Sequence, residues 1–195
     1  MKTVLKAMQR QKDIPLDITK KFEKIIEKWE KEFGQNLKGI TCFKPEWNDE
    51  FSTALTRYLN EEQRYRLYEE AGACQGAGDD KKRRAFAQEH KVLPLAARLE
   101  LFEKTFDRAK AVLNKDDNTI TVKFACNHGY YRQARLAKGM YKVPENVKGY
   151  FERCAGGRLY EYQKALGIKL KIKSVDVSPL YDNTLNPVMF TFQIL

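Results

Sequence analysis

The chain has 195 residues, 43% hydrophobic and 32% charged, a composition that belongs to a folded globular protein and excludes a disordered one. No apolar run approaches the roughly 20 residues of a transmembrane helix, and MKTVLKAMQRQKD turns polar too early for a secretory leader, so a cytoplasmic protein with no membrane partner is expected. Lys and Arg outnumber Asp and Glu by 36 to 26; the net charge of +10 favours anionic partners, although the basic residues are interleaved with acids, as in KKFEKIIEKWEKEF, in the manner of a solvated surface.

A first helix is predicted over MKTVLKAMQR, ending before Ile14-Pro15 because proline disfavours helical geometry in the residue before it. Ile18, Phe22, Ile25, Ile26, Trp29 and Phe33 then recur at helical spacing, with Gly34 as a left-handed cap. Residues 35–48 read as a connector in which Ile40 to Phe43, with Cys42, forms either a small strand or a buried loop. Phe51, Leu55, Tyr58 and Leu59 define another helix, and Asn60 with Gln63 is a capping box that restarts the chain as a further one. AGACQGAG places Cys74 in a small-residue loop, either open to close approach by a ligand or simply linking two helices. DDKKRRAFAQEH is a short helix with acids at its start and His90 at its end. Pro94 opens a helix whose apolar spacing predicts that it continues through Leu95, Leu99, Phe102, Phe106 and Ala109 to Leu113.

After the turn signal NKDDNT the period changes to two. Ile120, Val122, Phe124 and Cys126 share one face of a half-buried strand. Two more strands are predicted, Ile168 to Val177 and Pro187 to Leu195, joined as an antiparallel pair through Pro179, Asp182, Asn183 and Asn186. Between the first and second strands a helix begins at Val147; Gly156-Gly157 is expected to weaken or break it near Cys154, and it resumes from Leu159 to Leu166 and stops at Gly167. That connection is long enough to cross the sheet rather than return as a hairpin. The fold class is α+β, with N-terminal helices packed on an antiparallel sheet formed mainly by the C-terminal half. A single domain, 1–195, comprises a helical extension (1–60), helices (61–118) and the sheet with its crossover helix (119–195).

The four cysteines, at 42, 74, 126 and 154, are widely spaced and form no C-x-x-C unit, which suits reduced thiols. Cys126 and His128 stand two residues apart at a strand end. Cys154, ahead of two glycines, gains a helix N-terminus if the helix restarts there, and Arg153 and Arg158 add positive charge; both effects lower a thiol pKa. Two chemistries follow. One is a metal site of Cys74, Cys126, His128 and Cys154, with zinc as the candidate cofactor because it takes four thiolate or imidazole ligands. The other is a hydrolase or transferase in which Cys154 is the nucleophile and His128 its base. Buried packing is the competing reading, since cysteine also serves as a small core residue. Tyr130, Tyr131, Tyr141, Tyr150 and Phe151, interleaved with Arg132, Arg135, Lys138, Lys142 and Lys148, suit stacking on a nucleic acid, ring packing, or the lining of a small-anion pocket. For the pocket, Tyr130, Tyr131, Arg132 and Arg158 are the ligand-binding candidates.

The order ITVKFACNH, then CAGG followed by YEYQKALGIKLKIKSVDVSPL, then PVMFTFQIL resembles an uncharacterised cysteine-rich family of prokaryotic proteins over roughly residues 60 to 195. That family is similar to the small-ligand-binding domains of the vinyl reductase type and, in layout, to the amino-thiazoline carboxylate hydrolases. The resemblance implies helices packed on an antiparallel sheet with a ligand or metal pocket between them. Cys126, Cys154 and Cys74 match the family's cysteines; His128 stands where a second strand-end cysteine is usual, and Val188 where the last strand carries one. The expected function is therefore small-ligand binding with a candidate metal, ahead of cysteine-dependent catalysis and of nucleic-acid binding through the basic tyrosine-rich connector. Neither the ligand nor the oligomeric state is legible in the sequence.

Overall fold

The apolar stripes read from the sequence become the buried faces of the N-terminal helices. A computed structural model describes residues 2–33, 45–72, 79–106, 110–124, 146–181 and 187–195. Helices α1 (Lys2–Arg10) and α2 (Leu16–Phe33) part at Ile14-Pro15, as the proline requires. Val4, Ala7 and Met8 of α1 and Phe22, Ile26 and Trp29 of α2 are buried in the same core as the strands. On α3 (Pro45–Tyr58), Phe51 meets Phe22 edge-on at 5.1 Å, and Glu50 accepts from the Trp29 indole at 3.0 Å. Helix α4 (Glu61–Ala71) starts at the expected capping box: the Asn60 side chain accepts from the Gln63 amide, and the Gln63 side chain accepts from the Asn60 amide.

Helices α5 (Asp80–Glu89) and α6 (Leu95–Thr105) follow, the latter entered through Pro94. The expected continuation of α6 to Leu113 does not occur. The helix ends at Thr105, and Ala111–Asn114 is instead strand β1, paired antiparallel with β2 (Thr119–Phe124) so that Leu113 faces Ile120. The apolar residues near the end of this stretch fit either period, and the cross-strand partners that decide between them come later in the chain. The turn between the strands holds Asn118 at φ 50°, a left-handed conformation that asparagine tolerates.

Helix α7 (Val147–Leu166) leads to β3 (Leu170–Asp176), the short α8 (Ser178–Tyr181) and β4 (Val188–Ile194). The sheet order is β1-β2-β4-β3 with every neighbouring pair antiparallel. The expected α+β class therefore holds, and three of the four strands begin at or after Thr119. Because β4 lies between β2 and β3, those two run parallel and the chain from one to the other crosses the sheet, as its length predicts. Ile120, Val122, Val188, Phe190, Phe192, Leu170 and Ile172 turn inward; a bulge between Ile172 and Ser174 shifts the alternation so that Val175 is also buried. The opposite face carries polar residues, with the Thr121 and Thr191 hydroxyls 3.3 Å apart.

α7 is the axis of the molecule, packed by α3, α4, α5, α6 and β3. The expected break at Gly156-Gly157 is absent: the helix is continuous for 20 residues and stops, as expected, at Gly167, whose φ of 64° makes it a left-handed cap. Tertiary packing overrides the glycines' weak helix propensity. A Cβ on Gly156 would lie 2.5 Å from the Tyr68 carbonyl oxygen, so the missing side chain lets α4 close directly on the backbone of α7. Among the described residues no helix is long and apolar enough to cross a membrane.

Candidate functional site

Two of the residues proposed for the site, Cys154 and Arg158, are described, and α7 carries both. Cys42, Cys74, Cys126, His128, Tyr130, Tyr131 and Arg132 lie outside the described residues. Cys154 and Arg158 are one helical turn apart, which puts them on the same side of α7. Both are half-buried. The continuous helix removes one premise of the sequence reading: Cys154 is eight residues into α7, so no helix N-terminus acts on its thiol. Arg153 and Arg158 remain as nearby cations.

Arg158 is held by two contacts. Its guanidinium lies over the Phe124 ring, 4.9 Å from the centroid, and its Nη1 donates to Glu161. Phe124 is itself fixed against Phe190 and Phe151, at 4.9 and 6.4 Å between centroids. Among the described residues nothing accepts from Nε or Nη2 of Arg158. The side chain keeps a quarter of its surface exposed. Local structure thus restrains the guanidinium at two points and leaves donors without an acceptor among the described residues, as bidentate recognition of a carboxylate or phosphate requires.

Behind Arg158 the charges continue inward. Glu161 also accepts from the Nη2 of Arg83 at 3.2 Å, and Arg83, only 1% exposed, reaches Asp80 at 3.4 Å. The Tyr160 hydroxyl donates to Asp80; that hydrogen bond, with burial adding to it, pushes the phenol above its ordinary range. The chain runs Arg158, Glu161, Arg83, Asp80 with alternating sign, and Asp79 also lies 3.9 Å from Arg83, so the two arginines face three carboxylates.

Nine residues earlier on α7, Glu152 is fully buried and accepts from Arg64 of α4 through both oxygens, at 2.8 and 2.9 Å. A third Arg64 donor reaches the Leu59 carbonyl at 2.8 Å. Burial pushes the Arg64 guanidinium down, and Glu152 more than offsets this, holding it above its ordinary value. Beside the pair, burial drives the hydroxyls of Tyr68 and Tyr65 far above the usual phenol range, with the Glu152 charge adding to both. All four groups are buried and read as structural.

Among the described residues no group of three or more His, Cys, Asp and Glu side chains is placed to hold a metal ion. Of the four ligands considered for zinc, only Cys154 is described. A cleft of about 650 Å³ between α6 and β1, floored by Leu99, Ala111 and Leu113 and edged by Glu100, Lys104 and Lys110, is bordered by neither Cys154 nor Arg158. Its two glutamates, Glu100 and Glu103, balance its two lysines, and it brings none of the expected site residues together. His90, expected at a helix end, is the C-cap of α5, with its ring 4.4 Å from that of Phe86.

The buried partners Arg64 and Arg83 went unnoticed in the sequence. Glu152 and Glu161 left a trace, since each interrupts the apolar residues of α7, but their partners lie 88 and 78 residues away. The fold and site thus define an α+β protein with an arginine-bearing central helix at the edge of its sheet core. No protein-family model, curated protein or solved structure matches the chain.

Proposed function

We propose that the protein binds a small anionic ligand on the side of α7 that carries Cys154 and Arg158, next to Phe124 at the end of β2. The observation that supports this reading is the restraint on Arg158: a guanidinium held 4.9 Å from the Phe124 ring centroid and tied to Glu161, with Nε and Nη2 lacking an acceptor among the described residues. A planar carboxylate or a phosphate meets such a guanidinium through two parallel hydrogen bonds. Holding the side chain in place beforehand removes much of the rotamer entropy that binding otherwise costs. Cys154, one turn before, supplies a polarisable wall, and with Cys74, Cys126 and His128 it would complete the ligand set for zinc.

Thermal-shift and calorimetric titration of the full chain with a panel of small carboxylates and phosphomonoesters tests the anion reading. At least one anion is expected to stabilise the protein, and Arg158→Ala to weaken its binding by at least about tenfold, as loss of a charge-assisted hydrogen bond implies. Arg158→Lys should restore part of the affinity, because it returns charge without the planar fork. Binding that is equally tight in wild type and Arg158→Ala would sink the proposal, as would no binding by any member of the panel. Metal analysis of protein purified without added metal tests zinc separately; the expected result is stoichiometric zinc that Cys154→Ser loses.

A further inference from the structure

Among the described residues the sheet ends in two edge strands, β1 and β3. An edge strand directs every second backbone N–H away from its neighbour, and such a row of open donors is a template on which another chain can add a strand. Three of those donors are taken by side chains. On β1 the Ala111 N–H donates to the Glu103 carboxylate of α6 at 2.6 Å. On β3 the Leu170 N–H donates to the Gln163 side chain of α7 at 2.8 Å, and the Ile172 N–H to the Glu69 carboxylate of α4 at 2.6 Å.

Three acceptors from three different helices therefore occupy positions where the carbonyls of an added strand would sit. The ladder confirms which way the donors point. Leu170 and Ile172 oppose Ile194 and Phe192, while the neighbouring Lys169 carbonyl accepts from Leu195, so the N–H groups of 170 and 172 are those that face outward. Neither edge has the proline that blunts many natural edges: β1 is AVLN and β3 is LKIKSVD. β1 is also flanked by exposed apolar surface at Val112, 52% accessible.

We propose that Glu103, Glu69 and Gln163 are edge guards, whose side-chain acceptors keep β1 and β3 from pairing with the same strands of a second copy of this chain. The guarded partner is a second copy because β1 and β3 can each pair antiparallel with their own symmetry mate, which needs no other sequence. Side-chain guards of this kind are reversible in a way a proline is not, since one rotamer change exposes the donor.

Sedimentation velocity across a range of concentrations, on the full chain, tests this. Glu103→Ala and Glu69→Ala are expected to self-associate at concentrations where the wild type sediments as a single smaller species, and Glu103→Gln and Glu69→Gln, which keep an acceptor oxygen, to behave as wild type. Alanine variants with wild-type circular dichroism and unchanged sedimentation would overturn the proposal, and so would glutamine variants that associate as readily as the alanine ones. Backbone hydrogen exchange keeps the idea testable if an alanine variant does not fold. In the wild type the amides of Ala111, Leu170 and Ile172 should exchange as slowly as inward-paired strand amides, and about 2- to 10-fold faster where the glutamine replacement weakens the charged acceptor. Exchange of these three at the rate of unstructured amides in the wild type would refute it.

Discussion

Two glutamates on one helix, nine residues apart, meet an arginine each and end in different states. Glu152 is sealed: it is fully buried, Arg64 satisfies both its oxygens, and the spare Arg64 donor is used by a backbone carbonyl. Glu161 is shared between a buried arginine, Arg83, and a partly exposed one, Arg158, which keeps donors without an acceptor among the described residues. The chemistry of the two pairs is the same, so the difference lies in what surrounds them. The first sits where α4 closes on α7; the second sits at the rim beside Phe124, where a helix side meets the end of a strand. A closed ion pair spends all its hydrogen-bonding capacity on the fold, and an unfinished one retains some for a ligand.

The comparison breaks most visibly at the sealed end. Glu152→Ala should destabilise the protein by about 3–5 kcal/mol in urea unfolding, because it leaves the Arg64 charge buried without a partner. Replacing both members together, Arg64→Met with Glu152→Met, should recover most of that loss, since it is the uncompensated charge and not the absence of the pair that costs. Next in size, Gly156→Ala should lower stability by about 1–3 kcal/mol despite alanine's better helix propensity, because the new methyl group meets the Tyr68 carbonyl and pushes α4 away. A variant that melts at or above the wild-type temperature would show that α4 and α7 are less tightly joined than described.

At the open end, Glu161→Gln should cost about 1–2 kcal/mol, less than the loss at Glu152, because Arg83 keeps Asp80 and Arg158 retains access to water. The same variant should loosen Arg158 and weaken anion binding, an effect absent from Arg64→Met with Glu152→Met. Titration calorimetry of the two side by side separates a site contact from a general loss of packing.

The smallest effect concerns pH. Burial pushes the carboxyls of Glu69 and Glu103 above their ordinary value, against the backbone hydrogen bonds from Ile172 and Ala111. A folded-state pKa raised above the unfolded one gives stability that is present in acid and lost as pH rises through the folded value. Glu69→Gln does not titrate, so its stability relative to wild type should improve as pH rises above the ordinary glutamate range. Glu61 provides the opposite sign: the Lys148 hydrogen bond holds its carboxyl low, and that contribution appears above the unfolded pKa and fades as pH falls. Urea unfolding at several pH values reads both.

Local signals in the sequence carried most of the architecture. The capping box at Asn60 and Gln63, the stop at Gly167, the proline breaks at 15 and 94 and the period-two runs at 120–124 and 188–194 all act through residues within a few positions of one another, and they appear in the structure as read. Where the reading failed, at Leu113 and at Gly156-Gly157, the deciding contacts were remote. Leu113 became a strand residue because Ile120 lies opposite it across the turn. Gly156 stayed helical because Tyr68 packs on its bare backbone.

The same division holds for the candidate site. Cys154 and Arg158 stand out from their local context, the one ahead of two glycines and the other a turn later. What Arg158 does depends on Phe124 beneath it, 34 residues earlier in the chain, and on the arginine behind Glu161, 78 residues from its partner. Periodicity and capping are short-range, so the sequence by itself determined most of the helices, three of the four strands and the α+β class. The pairing of buried charges, the closing of the sheet edges and the fixing of one guanidinium depend on which distant segments meet, and only the tertiary structure decided them.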